Sequence, residues 1–356
     1  MGIELSRGLA ALMVMLTHYA AFIPGAPAGM GFLWSGVDLF FVISGYVFAP
    51  MILPMEAEST TANLKLHNNS STLSYFIRRI FRIYPLYLLA LVAYFIVLPD
   101  AAEKTGYFIR HLFFLHTTRS FEEAYYFNPA FWSLPVEIEF YLLLPLLALG
   151  RGRHRVLIAV GCLTLLLGIT ANYLRGPGVD IWRVLSVHLP TILPEFLAGS
   201  VLALMVHQGH KGRLSWYSAG GLGAFGSGAV LLLGCYMVKY GNTGLENNRV
   251  LDSIWNLSCA IAYALLLYPL LLIRNEQYRP VAARIALLAG ASSYGVYLLH
   301  NLMPRILDPT WPASGIGFVI KCGLATFAVA LLLYWLYENP LRNLGRKLGK
   351  QIQVNP

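Results

Sequence analysis

Charge is what this sequence has least of. Only 12% of its 356 residues are Asp, Glu, Lys or Arg, about half of the ~25% found in soluble globular chains. That shortage excludes a solvated globular domain. Together with 57% apolar residues and a mean hydropathy of +0.60, it makes the lipid bilayer the solvent. Cysteine is scarce too. Cys162, Cys235, Cys259 and Cys322 all fall in apolar runs, with no CxxC or Cys/His spacing, so neither a disulfide framework nor a metal site is expected. There is no internal repeat, no linker and no soluble second domain. We read residues 1–340 as one membrane domain and 341–356 as a short basic cytoplasmic tail.

Long apolar runs are present instead. Ten segments reach the length needed to cross the hydrocarbon core as helices, at 8–23, 34–53, 83–99, 130–149, 155–173, 182–206, 216–238, 251–273, 285–304 and 316–338. The fold class is therefore an all-α polytopic membrane protein. The stretch 107–116 is too short to span and is expected to be re-entrant or interfacial. An even number of crossings puts both termini on one side. Roughly two-thirds of the lysines and arginines fall on that side, which the positive-inside rule makes cytoplasmic. This bias accounts for the net charge of +9, so no nucleic-acid partner is inferred. A cleavable signal peptide over residues 1–28 is the rival reading, since Ala-Pro-Ala precedes Gly29. Glu4 spoils its basic leader, and removing it would leave an odd number of spans.

The few ionisable residues inside the spans carry the functional signal, because such groups are costly in hydrocarbon. RGLAALMVMLTH sets Arg7 and His18 eleven residues apart. That interval is about three helical turns, so both leave one face, roughly 16 Å apart along the axis. The next helix runs back through GVDLFFVISGY and brings Asp38 to nearly the depth of His18. A carboxylate there could orient the imidazole, as the acid of a hydrolase triad does. A buried ion pair that only locks two helices is the other reading. Glu137 and Tyr141, four residues apart, share a face of the fourth span, whereas Glu139 lies 200° around it. Tyr297 and His300 share a face of the ninth span. Glu195 and His188 add polar groups at similar depth and read equally well as structural. Arg79 and Arg82, in FIRRIFRIYPLY, are either positive-inside anchors or a fork for phosphates.

With these motifs in order, the chain resembles the acyltransferase-3 family of integral membrane acyltransferases along essentially its whole length. Arg7 and His18 match the Arg-x10-His element of the first helix. GVDLFFVISGY, the Arg-x-x-Arg of Arg79 and Arg82, WSLPVEIEFYLLLPLL with Trp132, SSYGVYLLH and YENP with Glu338 match in turn. The resemblance implies transfer of an acyl group, commonly acetyl from acetyl-CoA, to a hydroxyl of a cell-surface glycan such as O-antigen, exopolysaccharide or peptidoglycan. It implies a multi-pass protein of the cytoplasmic (inner) membrane, in contact with membrane lipids. The chain ends 18 residues after the last expected span, so it reads as a stand-alone form without the SGNH domain that some members carry.

The expected mechanism docks the phosphates of acetyl-CoA on Arg7, Arg79 and Arg82 and brings the thioester to His18. His18 is the candidate base, Asp38 its orienting acid, and Glu137 a further catalytic candidate. Tyr141, Tyr297, His300 and Trp132 are candidates for holding the acceptor or the developing oxyanion, and an acyl-histidine intermediate stays open. Acetyl-CoA is a substrate here, with no permanently bound cofactor. Two alternatives remain: an acyltransferase with a lipid or small-molecule acceptor, and a secondary transporter or flippase using the intramembrane His, Asp and Glu as a proton relay.

Overall fold

The computed structural model describes residues 1–53, 69–149, 154–174, 180–211, 216–273, 280–308 and 314–354. No strand occurs among them, and ten helical stretches are long and apolar enough to cross a membrane. The helices are α1 (Gly2–Tyr19), α2 (Gly36–Ile52), α3 (Asn69–Val97), α4 (Lys104–Leu112), α5 (Phe121–Tyr125), α6 (Ser133–Leu149), α7 (His154–Leu174) and α8 (Asp180–Leu185). They continue with α9 (Leu189–His210), α10 (Trp216–Glu246), α11 (Arg249–Leu272), α12 (Pro280–Leu299), α13 (Leu302–Leu307), α14 (Ile316–Leu333) and α15 (Asn339–Val354). Pro50, Pro85, Pro145, Pro194 and Pro269 lie inside helices, which neighbouring helices in a membrane bundle tolerate.

The centre of the bundle is held by backbone contact between helices. A Cβ on Gly199 of α9 would sit 1.9 Å from the Val42 carbonyl oxygen of α2, and one on Gly45 would sit 1.8 Å from the Phe196 carbonyl oxygen. Lipid tails are as apolar as leucine, so close approach through small residues replaces hydrophobic burial as the packing force. The same device joins α1 to α2, where a Cβ on Gly36 would lie 2.7 Å from the Ala10 carbonyl oxygen, and α1 to α12, where Gly8 meets Ala289. By contrast, α7 and α10 turn Leu163, Leu166, Leu231 and Leu232 outward, as a lipid-facing surface requires.

The segment 107–116 is divided: His111 and His116 are buried, whereas Ile109, Phe113 and Leu115 are exposed. After α4 the chain turns at Phe114, whose φ is +56°. His111 and His116 then stack with centroids 3.9 Å apart and planes within 7°, both fully buried. Burial pushes their pKa values down to about 2 and about 4, so both rings are neutral at physiological pH.

The C-terminal part is longer than hydropathy alone indicates. A π-helical turn at Tyr334–Glu338 joins α14 to α15. Then α15 lies along the first half of α3, with Gly345 against Phe81 and Gly349 against Ser74. The expected tail is thus a packed helix.

Candidate active site

Between α1, α2, α3, α6, α12 and the π-helical turn lies a chamber of about 240 Å³. At the end of the bundle that carries Arg7, it is lined by Glu4, Arg7, Arg82, Glu338 and Arg342. Farther in, it is lined by Glu137, Ser133, Tyr294, Tyr297 and Phe40. Arg7 donates to Glu4 at 3.3 Å and Arg342 to Glu338 at 3.2 Å. The π-helical turn matters here: one extra residue in the turn swings Glu338 inward, and such turns are frequent at functional sites. Glu137 accepts the hydroxyl proton of Tyr141. Tyr297 shares a hydrogen bond with Ser133 at 2.5 Å and donates to the Ala130 carbonyl at 2.8 Å.

Beyond Tyr297 the polar track continues to a pair of histidines. His300 Nε2 lies 3.2 Å from His18 Nδ1. The backbone decides their tautomers. His300 Nδ1 meets the Val296 carbonyl at 3.0 Å, and a carbonyl only accepts, so that nitrogen carries the proton. His300 Nε2 is therefore the acceptor, and it takes a hydrogen bond from Asn301 Nδ2 at 3.0 Å. By the same logic His18 Nδ1 donates to the Val14 carbonyl at 2.7 Å. The lone pair of His18 Nε2 is then left over, on a ring that is half-buried rather than sealed. Asn301 is itself held by Asn128 Oδ1 at 2.8 Å, and Asn128 donates to the Leu298 carbonyl at 3.0 Å. The arrangement can accept a proton at one defined atom.

The structure redistributes several of the residues singled out from sequence. Arg7, Arg82, Glu137 and Tyr297 line the chamber, and His18 meets His300, as their shared depth implied. Asp38 does not orient His18. It is buried and hydrogen-bonded to Glu195 of α9 instead. The reason is angular. Gly36 of α2 packs closely against Ala10, Met13 and Val14 of α1, and Asp38, two residues on, points 200° away from it. Equal depth gave no equal azimuth, and a backbone carbonyl orients His18 where a carboxylate was expected.

Arg79 and Arg82 are likewise divided. Arg82 enters the chamber, whereas the Arg79 guanidinium sits 5.1 Å from the ring centre of Phe48, 5.7 Å from that of Tyr141 and 6.0 Å from that of Tyr75. It is a cation held by aromatic faces behind the wall. Tyr141 supports Glu137 from behind. Trp132 packs edge-on to Phe41, with centroids 6.3 Å apart, and does not line the chamber. The sequence reading missed Arg342 and Ser133, and gave Glu338 no role. The signal available for the first was the i, i+4 spacing of Glu338 and Arg342 just past the last apolar run.

Glu139, expected on the opposite face from Glu137, binds His188 Nδ1 at 2.5 Å and the Leu189 backbone amide at 2.8 Å, which caps the start of α9. Burial works against a charged His188, but the hydrogen bond and charge of Glu139 outweigh it, so its pKa is raised. Stability from a raised pKa is fully present below the unfolded value and is lost as pH rises through the folded one. His188→Gln is therefore expected to lower the unfolding temperature of the detergent-solubilised protein at about pH 6 and to cost less at about pH 9. Thermal unfolding at the two pH values checks it.

The membrane bundle thus holds a chamber rich in arginine and glutamate and, beyond Tyr297, a histidine pair, and ionisable groups at membrane depth mark a functional site. Its family follows from comparison: the acyltransferase domain family matches residues 2–335, and the chain belongs to it. It is 25% identical to "Putative acetyltransferase ORF330" of Acidianus two-tailed virus, over 85% of this chain and 82% of that protein. It is 27% identical to "Putative peptidoglycan O-acetyltransferase YrhL" of Bacillus subtilis, over 99% of this chain and 57% of that protein. It is 25% identical to peptidoglycan O-acetyltransferase OatA of Listeria monocytogenes, over 95% of this chain and 55% of that protein. The chain thus spans little more than half the length of the two peptidoglycan O-acetyltransferases. No solved structure matches it.

Proposed function

We propose that this protein is a membrane O-acetyltransferase that moves an acetyl group from acetyl-CoA to a hydroxyl of a cell-surface glycan. The names of the two bacterial relatives make peptidoglycan a natural acceptor class beside O-antigen and exopolysaccharide. The distribution of lysine and arginine supports a topology with both termini, and the mouth of the chamber, on the cytoplasmic side of the inner membrane. The observation that carries the reading is the tautomer of His18. With Nδ1–H committed to Val14, Nε2 takes the proton of the acceptor hydroxyl. The hydroxyl oxygen then forms a bond to the thioester carbon. The carbon–sulfur bond breaks, and the departing thiolate recovers the proton from Nε2. Tyr297 lines the chamber and its ring centre lies 6.4 Å from that of His300, so the thioester travels past Tyr297 to reach the histidine pair.

Among the described residues Arg7 and Arg342 form ion pairs and Arg82 forms none, so Arg82 is the chamber arginine expected to meet the donor. Arg82→Ala should raise KM for acetyl-CoA about tenfold, with a smaller change in kcat, as for loss of a charge-assisted contact. The measurement is transfer of labelled acetyl from acetyl-CoA to glycan in membranes holding the full chain. A wild-type protein that neither binds labelled CoA nor labels any glycan fraction sinks the reading.

A further inference from the structure

The chamber is too small for the donor proposed above. Its volume of about 240 Å³ falls below even the ~300 Å³ at which pockets for drug-sized ligands begin, and an acyl-CoA is larger than those ligands. The acyl and pantetheine parts can enter, so the phosphorylated nucleoside must rest outside the mouth. Two of the three chamber arginines are also already engaged, which leaves Arg82 alone to meet a phosphate there. Arg7 is paired with Glu4 and Arg342 with Glu338.

The cationic track does not stop at Arg342. Arg346 follows one turn later on α15, close enough to Arg342 for each to feel the other's charge. Lys347 and Lys350 come next. The sequence NPLRNLGRKLGKQIQV holds no acidic residue. Arg346, Lys347 and Lys350 are exposed, and among the described residues no carboxylate pairs with any of them. Arg346 donates only to its neighbour Asn343, at 3.1 Å. Across the crease, Arg78 of α3 lies against Gly349 and keeps a buried guanidinium nitrogen, Nη2, without a hydrogen-bond partner. Part of the apolar face that would let a basic helix lie in a bilayer is already used, because Gly345 and Gly349 press it onto Phe81 and Ser74.

We propose that the exposed cations of α15, with Arg78 in the crease beside them, form the site for the phosphates of the donor nucleotide. This inference rests on the acetyl-CoA reading and extends it. Nucleotide phosphates bridge Arg346, Lys347 and Lys350, while pantetheine runs past Arg342 into the chamber.

The test uses the full chain in nanodiscs, with CoA and adenosine 3′,5′-bisphosphate as probes. A variant carrying Arg346→Gln, Lys347→Gln and Lys350→Gln should bind both about tenfold more weakly, and its affinity should fall less between about 50 and 200 mM salt. Acetyl transfer from S-acetylpantetheine, which lacks the nucleotide, should be the same as in the wild type, and this also shows that the variant is folded. CoA affinity equal to wild type overturns the site while leaving the donor reading intact. A variant that keeps CoA affinity but no longer responds to phosphatidylglycerol in the disc assigns α15 to lipid headgroups and also overturns it. Wild-type protein that binds no CoA overturns the donor reading and this site together.

Discussion

His18→Ala should abolish measurable acetyl transfer, a loss of about a thousandfold, within the range for removing a positioned general base. Binding of CoA should change little, because His18 is not among the residues lining the chamber proposed to admit the acyl and pantetheine parts of the donor. His18→Gln should fare no better, since an amide offers no basic lone pair. His300→Asn should lose less, about tenfold to a hundredfold in kcat, because His300 steadies the ring of His18 and does not itself take the proton. The readout is single-turnover transfer of labelled acetyl, with CoA binding measured on the same preparations. If His18→Ala transfers acetyl at the wild-type rate, Nε2 is not the base, and the tautomer argument fails with it.

The positions of the helices were legible in the sequence because a bilayer leaves few options. Each apolar run of sufficient length is a crossing, since an unpaired backbone in hydrocarbon is too costly. The interval from Arg7 to His18 was legible for the same reason: rise and rotation per residue are fixed. What the run of residues could not convey was how each helix is turned about its own axis. Asp38 and His18 share a depth, yet the contact of Gly36 with α1 sends Asp38 toward α9. Arg79 and Arg82 differ by only 60° on α3, and that angle separates a wall of rings from a chamber. Glu338 and Arg342 lay at the border of the last apolar run, where hydropathy places a tail. The π-helical turn that brings them inward leaves no mark in local composition.

The second large effect concerns the residue whose role changed. Asp38 and Glu195 are 1% and 4% exposed, hydrogen-bonded to each other, and joined across the α2–α9 contact. A hydrogen bond between two carboxyl groups requires a proton on at least one of them, so at least one member of the pair is neutral. Asp38→Ala removes one half and strands Glu195 in the interior, which should cost about 3–5 kcal/mol and show as a marked drop in unfolding temperature and in yield from membranes. Asp38→Asn keeps a donor of the same shape, so it should fold within about 1 kcal/mol of wild type and keep its kcat. Joint replacement, Asp38→Leu with Glu195→Leu, removes both polar groups and should be more stable than Asp38→Ala alone. Unfolding of the detergent-solubilised variants and acetyl transfer in membranes decide between a structural pair and a catalytic acid. A well-folded Asp38→Asn protein with kcat reduced by orders of magnitude would return Asp38 to the chemistry. Full activity in that variant leaves it as a clamp between α2 and α9, holding the helix that carries Phe40 against the chamber.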